Sequence, residues 1–97
     1  MPTALWIANV HVTDETAYKE YATRATVAIA DHDGVFLARA GQHEQLEGRD
    51  RARNVVARFP SLQAAHDCYH SPAYQAALDF ARGASERDLV IVEEAEG

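Results

Sequence analysis

The chain has 97 residues, one domain's worth, and its 47% apolar and 25% charged composition belongs to a folded globular protein rather than a disordered one. Fifteen acids against nine bases give a net charge of −6, which opposes general affinity for nucleic acid or for anionic membrane surfaces. A domain this small buries a modest share of its surface and gains from an oligomeric interface.

Ala4 to Val12 alternates, with Ala4, Trp6, Ala8, Val10 and Val12 on one side and Leu5, Ile7, Asn9 and His11 on the other, as a strand requires. The stretch is broken by Asn9 and His11 and is too short to span a bilayer, and Met1-Pro2-Thr3 is no basic leader. With a lone Cys68, which suits a reducing compartment, this predicts a cytoplasmic protein. Asp14 can cap a helix whose stripe is Tyr18, Tyr21, Ala22, Ala25 and Ile29, and Gly34 suits the left-handed residue that ends it. Val35 to Ala40 reads as a second strand, continued past a bend by Gly41 to Gly48, and Arg53 to Phe59 as a third. Pro60 stops that strand because it cannot donate to a ladder. Ser61 starts a helix, Ser71-Pro72 starts another, Gly83 stops it, and Leu89 to Glu93 is the last strand.

The order β-α-β-β-α-β predicts an α+β, ferredoxin-like domain over residues 1–97: a four-stranded antiparallel sheet with the helices on one face. Leu5, Ile7 and either Leu89 with Ile91 or Val90 with Val92 then need cover that two helices on one face cannot give. A second copy of the sheet supplies it, so the expected partner is the chain itself, as a homodimer with a shared, partly polar interior.

One set of residues carries a resemblance: Thr13 to Tyr21, His32-Asp33-Gly34, Leu46-Glu47-Gly48, Phe59-Pro60-Ser61, Tyr69-His70-Ser71-Pro72-Ala73-Tyr74 and Arg82. Together, in this order, they resemble the DUF1330 family. The resemblance implies the dimeric α/β barrel superfamily, in which ferredoxin-like protomers pair sheet to sheet, and it implies no defined activity. The chain departs from the family pattern at Asp14-Glu15, where Asp-Pro is usual, at His32-Asp33-Gly34, where His-Gly-Gly is usual, and at Arg58, which replaces an acid.

The candidate chemistry is a short list. His32, at the end of the first helix, offers either a general base near neutral pH or a cap for terminal carbonyls. Glu47, before a flexible glycine, is a candidate acid facing a cavity or a solvated hairpin residue. Arg39, Asn9 and Arg58, with Asn54 as the alternative on the third strand, are candidate ligand-binding residues if the Asn9 face lines the interior. A buried guanidinium needs an acid, which an Arg39–Glu47 ion pair supplies from within the chain and a carboxylate-bearing ligand from outside. His32, Arg39 and Glu47 are expected to border one cavity. His66 and His70 share a helix face, but two imidazoles are not a metal site, and neither metal nor cofactor is expected. Cys68 reads as a small core hydrophobe, Tyr69 and Tyr74 as a brace between helices. Two functions remain: a small homodimeric module with a pocket for a small acidic or hydrophobic molecule, or a cofactor-independent enzyme, isomerase or monooxygenase-like, acting on a small acidic or aromatic metabolite.

Overall fold

A computed structural model describes residues 2–95. In chain order the elements are β1 (Ala4–Val12), α1 (Glu15–Asp31), β2 (Val35–Arg39), β3 (Arg53–Phe59), α2 (Leu62–His70), α3 (Pro72–Ala81) and β4 (Ser85–Glu93). The strands form one antiparallel sheet in the order β2-β3-β1-β4, which is the ferredoxin-like topology. Among the described residues no helix is long and apolar enough to cross a membrane.

The two-residue period of β1 sorts the faces. Ala4, Trp6, Ala8 and Val10 are buried under the helices, together with Val55, Ala57 and Phe59 of β3. Trp6 anchors this core, its ring centroid 5.6 Å from that of Phe59 and 5.1 Å from Tyr74 in an edge-on contact. α1 starts as expected: the Asp14 carboxylate accepts from the amides of Thr16 and Ala17 at 3.1 and 3.2 Å. Tyr18, Tyr21, Ala25, Ala28 and Ile29 form its buried stripe.

The helix ends differently from the expectation. Asp33, at φ 65°, takes the left-handed position, and Gly34 is required for space instead: a Cβ there would lie 2.5 Å from Ile29 Cγ2 and 2.8 Å from the Phe59 ring. The expected continuation of β2 through Gly41 to Gly48 does not form. Ala40 at φ 56° turns the chain off the edge strand, and Leu46, the one large apolar side chain of that segment, is exposed. The segment runs instead as an irregular loop whose end is tied to β4 by Arg49–Glu86 at 3.9 Å and Arg51–Asp88 at 3.3 Å. β4 begins at Ser85, four residues earlier than its apolar run suggests, because His11 pairs with Glu86 and Asn9 with Asp88 whatever their polarity. Ser61 caps α2 through the Ala64 amide, and Ser71 ends α2 and caps α3.

The other face of the sheet has no helix on it. Cross-strand rows Val35–Arg58–Leu5–Val92 and Ala38–Val56–Ile7–Val90 run over it, and Val35, Val90 and Val92 are exposed. Of the two alternatives on the last strand, Val90 and Val92 share this face with Leu5 and Ile7, while Leu89 and Ile91 pack toward the helices.

Candidate functional site

Between α1 and the helix-facing side of the sheet lies a cavity of about 30 Å³, room for the centres of one or two water-sized groups. Its apolar wall includes Trp6, Tyr18, Tyr21 and Phe36, and its charged groups are three arginines, one each from β2, β3 and β4: Arg39, Arg53 and Arg87.

The register places them. Arg53 and Val55 alternate onto the helix side of β3, as Arg87 and Leu89 do on β4, so both guanidinium groups rise beneath α1. Each stacks on an aromatic ring. Arg87 Cζ is 4.6 Å from the Tyr21 centroid, Arg53 Cζ 5.4 Å from that of Tyr18, and Arg39 Cζ 4.4 Å from that of Phe36. Arg87 Nη2 donates to the Tyr21 hydroxyl at 2.7 Å and to the Tyr74 hydroxyl at 3.3 Å, and the two hydroxyls are themselves 2.7 Å apart. Arg39, at the exposed mouth, donates to Thr26 Oγ1. The Nε atoms of Arg53 and Arg87 are buried and have no acceptor among the described residues.

Charge pairing separates these arginines from the rest. The chain has eight arginines, and Arg24, Arg49, Arg51, Arg58 and Arg82 each meet a carboxylate at 2.6 to 3.9 Å. Arg39, Arg53 and Arg87 meet none among the described residues, and these are the three that line the cavity. Its lining contains no Asp or Glu. Glu15 borders an adjoining outer groove with Arg53, outside the cavity. Tyr21 adds no negative charge near neutral pH: burial first, then the neighbouring Tyr74, holds its phenol well above the usual range, and burial raises Tyr74 likewise.

Of the residues singled out in the sequence, Arg39 borders this cavity. His32 and Glu47 do not, so the expected convergence of His32, Arg39 and Glu47 is not formed. His32 turns back onto its own helix, its Nδ1–H donating to the Ala28 carbonyl at 2.9 Å, and Glu47 lies in the exposed loop that Ala40 directs away from the sheet. The Arg39–Glu47 ion pair is likewise replaced by the bond to Thr26. Asn9 and Arg58 are on the opposite face, where Asn9 donates to Asn54 at 2.8 Å and Arg58 to Glu94 at 2.6 and 3.2 Å. The ion pair with Arg58, followed by a bond from Thr3, holds the Glu94 carboxyl below its ordinary range.

Arg53 and Arg87 were not singled out. The alternation Arg53, Val55, Ala57, Phe59 carried the signal for the first, and a β4 begun at Ser85 would have carried it for the second. His66 and His70 stack at 4.4 Å beside a groove with Tyr69, Leu89 and Ile91, and no group of three or more metal-ligating side chains occurs among the described residues. Cys68 is fully buried, donates to the Ala28 carbonyl at 3.6 Å, and has its thiol pushed up by burial to about 11, which makes it a core residue rather than a nucleophile.

The chain matches the family described as "Domain of unknown function (DUF1330)" over residues 3–95. No curated protein matches it by sequence. Among solved structures it is similar to RPA0582, a protein of unknown function from Rhodopseudomonas palustris, with TM-score 0.79, 15% identity, and coverage of 99% of this chain and 85% of that one. It is also similar to SnoaB, a cofactor-independent oxygenase from Streptomyces nogalater, with TM-score 0.67, 14% identity and coverage of 100% and 97%. A third is a dimeric protein of unknown function and ferredoxin-like fold from Bacteroides fragilis, with TM-score 0.64, 14% identity and coverage of 95% and 96%. At these identities the likeness is one of fold.

Proposed function

The chain belongs to the DUF1330 family, and we propose that it works as a cytoplasmic homodimer whose protomers each hold a small organic molecule in the cavity between α1 and the sheet. The observation that carries the pocket is the lining itself, in which aromatic rings and guanidinium groups without a carboxylate partner among the described residues converge on one partly open space. The uncovered sheet face, with Leu5, Ile7, Val56, Val90 and Val92 in adjacent register, supports pairing with a second copy. The dimeric state of the Bacteroides fragilis neighbour agrees with it. A single, fully buried thiol suits the cytoplasm.

No reaction is assigned. The Streptomyces nogalater neighbour is a cofactor-independent oxygenase, but the cavity lining offers arginine and high-lying tyrosine rather than a base poised near neutral pH, which favours binding over base catalysis by His32 or Glu47.

Native mass spectrometry of the purified full chain tests both halves of the proposal. A dimer mass carrying a co-purified small molecule, or one that takes up fragments whose nuclear magnetic resonance shifts map to Trp6, Tyr21 and Phe36, is the expected result. A monomer at micromolar concentration overturns the assembly, and fragment shifts confined to other surfaces overturn the pocket.

A further inference from the structure

We infer that the occupant of this cavity is a small organic acid, bound by its carboxylate between Arg53 and Arg87 with Arg39 at the mouth. The inference rests on the pocket proposed above and specifies its chemistry.

The lining is rich in donors and poor in acceptors. Three guanidinium groups carry fifteen N–H bonds between them. The acceptors they meet are the Tyr21 and Tyr74 hydroxyls and Thr26 Oγ1, and ring faces take the remainder of the contact. A half-buried arginine ordinarily has an anion beside it, because taking a charge out of water without a counter-charge costs several kcal/mol. The buried Arg51 observes that rule, meeting Asp88 at 3.3 Å. The half-buried Arg53 and Arg87 depart from it, meeting no carboxylate among the described residues of a protein whose net charge is −6. A bound anion would supply the counter-charge that none of the described residues gives.

The shape of the space selects among anions. A planar carboxylate matches a guanidinium fork edge to edge, and a space with room for one or two water-sized groups seats that group while the rest of the acid lies toward the open side at Arg39. Trp6, Tyr18 and Phe36 give the same space an apolar lining against which the carbon attached to the carboxylate can rest.

The test titrates the full chain with acetate and benzoate, with their neutral counterparts acetamide and benzamide, and with inorganic phosphate. Emission of Trp6, the single tryptophan and part of the lining, reports occupancy, and tyrosine and arginine side-chain resonances map the position. The carboxylates should bind at least about tenfold more tightly than the amides, with phosphate weaker than benzoate. Arg87→Met should weaken benzoate by about tenfold or more; because that variant removes a core partner of Tyr21, Arg39→Met at the exposed mouth serves as the second, with a loss of about threefold or more and an unchanged fold. Amides that bind in the cavity as well as the acids overturn the carboxylate while leaving the pocket standing. Phosphate as the tightest probe overturns it in favour of a tetrahedral anion. If none of the probes perturbs Trp6 at about 50 mM, well above a millimolar Kd, the carboxylate site is refuted, and co-purified ligand in the native mass spectrum then decides the pocket separately.

Discussion

Arg87 holds Tyr21 at two points, with its guanidinium carbon 4.6 Å from the ring centroid and its Nη2 donating to the hydroxyl at 2.7 Å. The same hydroxyl bonds Tyr74 at 2.7 Å, so one buried oxygen joins α1, α3 and β4. Tyr21→Phe keeps the ring under Arg87 and removes that oxygen, leaving the buried Tyr74 hydroxyl with the longer 3.3 Å bond alone. A loss of about 1–3 kcal/mol in urea unfolding is expected, the scale for breaking a buried network at one partner. A change below about 0.5 kcal/mol would mean that the bridge contributes nothing measurable.

Trp6 is 1% exposed and lies against Phe59, Tyr69 and Tyr74. Trp6→Ala should cost about 3–5 kcal/mol, the range for large core truncations. Thermal unfolding followed by far-ultraviolet circular dichroism measures it, and a cost under about 1 kcal/mol would place the ring outside the packing that defines the domain.

Ile7 stands at the centre of the row Val56–Ile7–Val90 on the uncovered face. Ile7→Lys places an ammonium where the proposed partner sheet would lie, with no acid directly opposite it in that row. Sedimentation velocity should show monomer or unfolded chain for the variant and dimer for the parent. An intact variant dimer with unchanged melting would refute the sheet-to-sheet assembly.

Stability should fall in alkali. The Cys68 thiol is raised by burial from 9.0 to about 11, so above pH 9 the unfolded chain releases its proton before the native chain does. The native state then binds more protons, and stability declines as pH rises through the window from about 9 to 11, by at most about 2–3 kcal/mol from this group. Tyr21 and Tyr74, also raised, act in the same direction above pH 10. Cys68→Ala should flatten the first part of the decline in urea titrations at pH 8, 9, 10 and 11. An identical slope in parent and variant would show that Cys68 is not the source.

The fold was legible where side chains alternate or cap: Ala4 to Val10, Asp14, Ser61 and Ser71 each do in the structure what their chemistry requires. It was not legible where tertiary pairing overrides polarity. Ser85 to Asp88 extend β4 because β1 offers a ladder to His11 and Asn9, and no local pattern in Ser-Glu-Arg-Asp announces that. The end of α1 shows the converse error, since Gly34 is needed for the approach of Ile29 and Phe59, a contact invisible in sequence, while Asp33 takes the turn. The candidate site was legible at Arg39 alone. His32 and Glu47 attract notice by chemical type, whereas Arg53 and Arg87 become prominent only when each arginine is matched with its acid, a pairing that the folded chain alone reveals.

Ser71 touches nothing in the cavity, yet its hydroxyl donates to the Cys68 carbonyl at 2.7 Å and accepts from the Tyr74 amide at 3.2 Å, fixing the joint between α2 and α3. That joint sets where the Tyr74 ring enters the core, and Tyr74 in turn steadies the oxygen to which Arg87 is tied. A mutational scan scored on binding in the proposed cavity would therefore flag a half-buried serine between two helices as though it were a binding residue, while positions on the exposed side of α2 such as Gln63 would tolerate free exchange. Sensitivity is expected to follow the chain of hydroxyls rather than distance from the cavity.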